Sequence, residues 1–296
     1  MRAEFLPDWM RGLPWLALLV LGAIGLFAAG GDMLLPYDPN ELDLGASFKP
    51  PPWQDGGSSA YLLGTDNLGR DILSRIMAGS RVSVIVAFYA ILFSGSIGAL
   101  VGMIAGYFGG RVDAVLMRFT DGIITLPLLP LLIVLGAIDL TKLGFSQDFA
   151  RSGAAGFWRI VVIISIVDWT AIARISRAAT LALKERDFVR AARASGAGAG
   201  YTMLTHILPN VATPVIVAFT LTIGRVILAE SVLSFLGFGV VPPTPSWGNM
   251  LNNAQELVTT APALAVYPGL LIFLTVVAVN FLGDGLQHAF DPRSEK

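Results

Sequence analysis

The chain has 296 residues, 54% of them hydrophobic and only 14% charged, with a formal net charge of −1. Soluble domains carry about 25% charged residues, so this composition indicates a chain that lives in lipid, and the near-zero net charge argues against a nucleic-acid binder that neutralises phosphates. Cysteine is absent, which excludes disulfides, thiolate chemistry and Cys-ligated metals, and His206 and His288 are too far apart in sequence to suggest a metal site by themselves.

In chain order, residues 12–31 form an uncharged run after Arg11. No A-x-A-like site closes it, and about 20 residues suffice to cross a bilayer, so it reads as a retained first helix. Residues 32–81 make a long outer loop with "FKPPPWQDGG" as an irregular middle. Its last part, 66–81, places Leu68, Ile72, Leu73 and Ile76 on one side and charges on the other. That pattern predicts an amphipathic helix lying at the interface, the plainer alternative being a lead-in to the next span.

Residues 82–110 are the second span, in which Ser94, Gly98, Gly102 and Gly106 recur every four residues. The smooth face they make favours close helix packing within the chain over a seam between subunits. Residues 122–138 are a short third span, and 157–176 a fourth that contains Arg159 and Asp168. Residues 211–237 are a fifth with Arg225 and Glu230, and 257–283 a sixth. The expected architecture is therefore all-α and integral to the membrane, with six transmembrane helices. It divides into a tail and first helix (1–31), an outer loop with the amphipathic helix (32–81), a five-helix core (82–286) with a cytoplasmic loop at 177–209, and a C-terminal tail (287–296).

Loop charge orients these spans. With both termini inside, the inner segments hold Arg2, Arg11, Arg111, Arg118, Arg174, Arg177, Lys184, Arg186, Arg190, Arg193, Arg293 and Lys296, twelve of the twenty basic residues. The first outer loop instead carries seven acids between Asp32 and Asp71. The positive-inside rule puts the opening stretch in the cytoplasm.

The stretch "DFVRAARASGAGAGYTMLTHILPN", 187–210, interrupts the apolar spans. Its glycines do not form a nucleotide loop: position 201 is Tyr, and no lysine stands in a G-x-x-x-x-G-K-[ST] context. Ala191, Ala192, Ala194 and Ser195 instead predict a short helix without side-chain bulk. Gly196 is suited to end it with left-handed backbone angles, and Pro209 to stop a second short helix. A rigid knob and a solvated basic connector both fit these residues.

"RAARASGAGAGYTMLTHILP" resembles the EAA loop of ABC importer permeases, E-A-A-x3-G-x9-I-x-L-P, at Ala191, Ala192, Gly196, Leu208 and Pro209. Two positions depart from it: Arg190 stands for the Glu, and His206 for the Ile, with Ile207 one place later. Four further stretches are similar to the second permease of dipeptide/oligopeptide/nickel-type importers: "LGTDNLGRDILSRIMAGSRVS" (63–83), "AGYFGGRVDAVLMRFTD" (105–121), "ILAESVLSFLGFGVVPPTPSWGNML" (227–251) and "NFLGDGLQHAFDPR" (280–293).

The resemblance implies a type I ABC importer permease fold in a prokaryotic inner membrane. It also implies a second homologous permease, two cytoplasmic ABC ATPases, and a periplasmic or lipid-anchored substrate-binding protein. Residues Arg190, Ala191, Ala192, Gly196, Leu208 and Pro209 would couple to the ATPases. Arg190 puts an inherited ion pair with the ATPase in question but leaves the helix and turn intact. The resemblance places "PPTPSW" (242–247) near the docking binding protein, the plainer reading being an interfacial Trp anchor.

Glu230 is a translocation-path candidate or a structural hydrogen-bond acceptor. Asp168, near the inner end of the fourth span, is a path candidate, the partner of a nearby arginine or a group exposed to interfacial water, since acids inside spans face protein or water. Arg225 lies five residues from Glu230, about 140° round the helix, so the two are poorly placed to pair with each other. No catalytic constellation, cofactor motif or metal-ligand spacing occurs. An ion-gradient-driven secondary transporter is the alternative, supported only by Asp168, Arg225 and Glu230, and an intramembrane hydrolase lacks its catalytic pairs. The substrate class, whether peptide, opine, sugar or metal chelate, is not written in these motifs.

Overall fold

A computed structural model describes residues 14–252 and 254–290. Arg2, Arg11, Arg293 and Lys296, which the orientation argument uses, lie outside them. Among the described residues the chain is helical, with a single isolated bridge between Thr65 and Asp71 and no named strand. Four helices are long and apolar enough to cross a membrane: α2 (Ile72–Phe108), α5 (Gly153–Leu183), α7 (Leu208–Phe235, with a helical lead-in from Ala199) and α9 (Ala263–Phe290). Two shorter helices, α3 (Gly110–Ile124) and α4 (Leu128–Gly136), meet at 84° and make a fifth crossing if taken together. Helix α1 (Trp15–Gly30) has 16 residues, fewer than a full crossing, and packs on α2 and α9.

The sixfold count therefore rests on α1 and on a broken span. Residues 122–138 are not one helix, because α3 stops at Ile124 and Pro127 caps the start of α4. Proline disfavours helical backbone in the residue before it and supplies no N–H, so the chain bends there.

The helix expected to lie flat over 66–81 is also absent. Asp66 instead folds a loop around itself: its carboxylate accepts from the backbone N–H groups of Leu68 and Arg70 at 2.8 and 3.0 Å and from Arg70 Nε at 2.7 Å. Gly69 turns with φ +75°, where a Cβ would stand 1.7 Å from the Asp43 carbonyl oxygen. Asp71 then caps α2, accepting from Ser74 N at 2.8 Å, and the helix runs without a break into the span. At about 1.5 Å per residue its 37 residues outreach the ~30 Å hydrocarbon layer, and residues 72–81 are a continuous lead-in to the span itself.

The stripe on α2 packs within the chain. A Cβ at Gly98 would lie 2.5 Å from the Trp169 carbonyl oxygen, and one at Gly102 2.1 Å from that of Ala173. With these backbones so close, Ser165 Oγ donates to the Ala90 carbonyl at 3.2 Å and Ser176 Oγ to that of Ala99 at 2.8 Å. Such small-residue contacts and interhelical hydrogen bonds hold helices together where lipid removes the hydrophobic drive. Toward the C-terminal end of α5, the Arg177 guanidinium grips Asp113, and Arg174 Nη2 meets Asp121 Oδ1 at 2.5 Å, tying α3 to α5. Both arginines belong to α5, which continues past 176 to Leu183. At the far end, α9 begins at Ala263 and continues to Phe290, later at both ends than the expected 257–283.

Candidate functional site

Two regions are candidates for functional chemistry: a knob at one end of the bundle and a charged cleft within it. The knob opens with α6 (Asp187–Ala194), which has Asp187 in its first turn and Arg193 in its last, matching the helix dipole at both ends. Ser195 caps it and Gly196 turns at φ +89°. Ala197 N donates to the Ala192 carbonyl and Gly196 N to that of Arg193, both at 3.0 Å, the paired bonds of a Schellman C-cap. The predicted helix and glycine turn are therefore present.

The expected second short helix is different. Ala199–Tyr201 leads through a π-helical turn, Thr202–Ile207, directly into α7, and Pro209 lies at the start of that helix instead of stopping one. A proline here cannot donate to the preceding turn, and the wider π turn accommodates its ring. Asn210 Nδ2 donates to the His206 carbonyl at 2.8 Å. The knob is consequently continuous with a membrane span.

Its inner face is anchored by Val189 and Ile207, both fully buried, in a cluster with Met103, Ile172, Val211 and Val215. Its outer face is open: Arg190, Ala191 and Gly196 are exposed, as are the apolar side chains of Phe188, Tyr201 and Leu204. His206, in the position of the motif's Ile, sits between the rings of Phe188 and Tyr201, at 6.3 and 5.7 Å. Arg190 Nη2 pairs with Glu185 Oε2 at 2.9 Å, and this guanidinium holds the Glu185 carboxyl below the usual carboxylate range. An acid thus remains beside position 190, supplied from five residues earlier.

The cleft lies among α4, α5 and α7. It encloses about 220 Å³ and is walled by Leu128, Leu132, Ile164, Leu228 and Val232, with Asp168 and Arg225 as its charged groups. Among the described residues the two charges form no ion pair with each other or with any other side chain; Arg225 Nη2 donates to Thr222 Oγ1 on its own helix at 3.2 Å.

Glu230, the other path candidate, does not line this cleft. It is fully buried and accepts from Ser83 Oγ at 3.1 Å and from Ser234 Oγ at 2.8 Å. Ser234 Oγ in turn accepts from Val240 N at 3.1 Å, fastening the segment that leads to α8 (Trp247–Met250). Trp247 is buried as well, its Nε1 donating to the Ile76 carbonyl at 3.2 Å, so it is no interfacial anchor. The capping box between Ser246 and Asn249 turns the chain inward and carries the indole with it. The serines around Glu230 escaped the sequence reading, although Glu230 and Ser234 stand at helical i, i+4 spacing. Among the described residues no group of three or more His, Asp or Glu could hold a metal ion.

The long apolar helices make this a multi-pass membrane protein. The fold is similar to the crystal structure of an amino acid ABC transporter with histidines, at a TM-score of 0.52 and 16% identity, covering 72% of this chain and 92% of that one. Residues 98–296 match the family described as binding-protein-dependent transport system inner membrane component. Similar chains include the dipeptide transport system permease protein DppC of Haemophilus influenzae, 38% identical over 94% of this chain and 90% of that one. The glutathione transport system permease protein GsiD of Pectobacterium atrosepticum is 38% identical over 98% and 89%. The nickel transport system permease protein NikC of Escherichia coli is 36% identical over 94% and 93%. The chain belongs to this family: it is a permease subunit of the peptide/nickel-type ABC importers, a transport component that works with other transporter subunits and has no ATPase site of its own.

Proposed function

We propose that this chain forms half of a translocation pathway for peptides or similar small solutes in a prokaryotic inner membrane, with both termini cytoplasmic. A second, homologous permease supplies the other half, two cytoplasmic ABC ATPases drive it, and a periplasmic or lipid-anchored binding protein delivers the substrate. Residues Arg190, Ala191, Ala192, Gly196, Leu208 and Pro209 form the coupling element. The observation that carries this reading is the knob's attachment: α6, held by Val189, turns at Gly196, and the helical run from Ala199 passes through Pro209 into α7. ATPase closure that moves the knob would therefore move a membrane span and with it the cleft between α5 and α7, rocking the pathway between its two faces. The substrate class is suggested by relatives named for dipeptides and glutathione.

The test is to co-purify the tagged chain with its neighbouring gene products and compare wild type with Gly196→Pro. Proline fixes φ near −65°, far from the +89° that this turn requires. Loss of stimulated ATP hydrolysis and of uptake together, in a permease that still purifies as a folded protein, is the expected result. Uptake that continued with no ATPase bound would end the proposal and return the ion-driven alternative.

A further inference from the structure

Asp168 lies on α5, six residues before Arg174, and Arg225 near the middle of α7. A charge at the centre of a span costs about 2.5–3.5 kcal/mol on insertion scales, and such groups settle against protein, water or each other. Here the two opposite charges share one cleft without closing on one another, and among the described residues no side-chain or backbone donor is hydrogen-bonded to the Asp168 carboxylate. The remaining walls are aliphatic. The cleft therefore offers an anionic acceptor, a separate guanidinium fork and apolar surface between and around them.

Those three features match one solute chemistry. An ammonium group satisfies Asp168, a carboxylate takes the parallel N–H donors of Arg225, and an aliphatic or aromatic side chain covers the leucines. A bare divalent cation fares worse, since it would meet one carboxylate and be repelled by the guanidinium. We infer that Asp168 and Arg225 form a selectivity site for zwitterionic solutes, amino acids or short peptides with free amino and carboxyl ends, on the wall of the pathway. The inference rests on the reading of this chain as a pathway-forming permease.

The assembled transporter in lipid nanodiscs, without its binding protein, is titrated with leucyl-phenylalanine, its N-acetyl form and its C-terminal amide. Wild type binds the free dipeptide at least about tenfold more tightly than either blocked form, because a site built to bond a polar group rejects an analogue lacking it. Asp168→Asn loses discrimination against the acetylated peptide and keeps it against the amide; Arg225→Gln does the reverse. Equal affinities for the three peptides in wild type, or no binding of any, would overturn the inference. So would wild-type discrimination among the three peptides in Asp168→Asn combined with Arg225→Gln, since the two charges would then serve only to neutralise each other. ATP hydrolysis stimulated by the binding protein is measured on the same preparations. Its persistence while peptide discrimination fails removes this site alone, whereas an intact complex with no coupled hydrolysis removes the permease reading beneath it.

Discussion

The knob around Gly196 and the turn around Trp247 are both short helices set between membrane spans, yet they are built in opposite ways. Helix α6 sends a single buried side chain, Val189, into the bundle and leaves the rest of its length in the open. Helix α8 buries Trp247, Gly248 and Asn249, and the Glu230–Ser83–Ser234 bonds lie directly beneath it. The contrast separates an exposed element, the docking surface of the proposal above, from a buried plug. If that proposal holds, removing side chains from the first disturbs ATPase docking, whereas removing them from the second disturbs the fold.

The largest stability effect that would test this contrast is at Trp247. Trp247→Ala removes a fully buried side chain and its bond to the Ile76 carbonyl, with an expected loss of about 3–5 kcal/mol, read as a lowered unfolding midpoint in detergent. Glu230→Leu comes next: it strands the hydroxyls of Ser83 and Ser234, for a loss of about 1–3 kcal/mol, while Glu230→Gln retains an acceptor and loses less. If Glu230→Leu were as stable as wild type but failed to transport, the residue would belong to the pathway and the contrast would fail. Gly102→Leu drives a side chain into the Ala173 backbone, and overpacking of this kind costs about 1–3 kcal/mol by the same measurement.

The smallest effect is expected at the knob. Arg190→Ala breaks a fully exposed pair with Glu185 and leaves the unfolding midpoint where it was, although it alters affinity for the ATPase in a pull-down. The sign of the pH response follows from the same pair. Since Arg190 lowers the Glu185 pKa, whatever the pair contributes is fully present above the ordinary carboxylate range. It disappears only as pH falls through that lowered value, so this pair adds no pH dependence to ATPase binding around neutral pH.

How far each region was legible before folding follows the same division. The knob's helix, its glycine turn and the small-residue stripe on α2 depend on neighbours three or four residues apart, and the sequence spacing displays them. The bend at Pro127 and the continuation through Pro209 are not legible in the sequence. A proline marks a local irregularity but does not say whether the chain turns away, as at 124–128, or absorbs it in a π turn, as at 202–207. The turn around Trp247 was least legible. Trp247 reads as an interfacial side chain until Ile76, 171 residues away in sequence, offers it a carbonyl.

The sequence by itself determined that this chain crosses a membrane repeatedly, that it lacks the phosphate loop of a P-loop ATPase, and that residues 190–209 are a helix-and-glycine element, because hydropathy, backbone preference and short-range spacing are local properties. Only the tertiary structure decided that Glu230 is walled in by serines while Asp168 and Arg225 share an open cleft. All three are charges inside apolar spans and look alike in one dimension; which is shielded and which is available depends on the side chains that other helices bring to it.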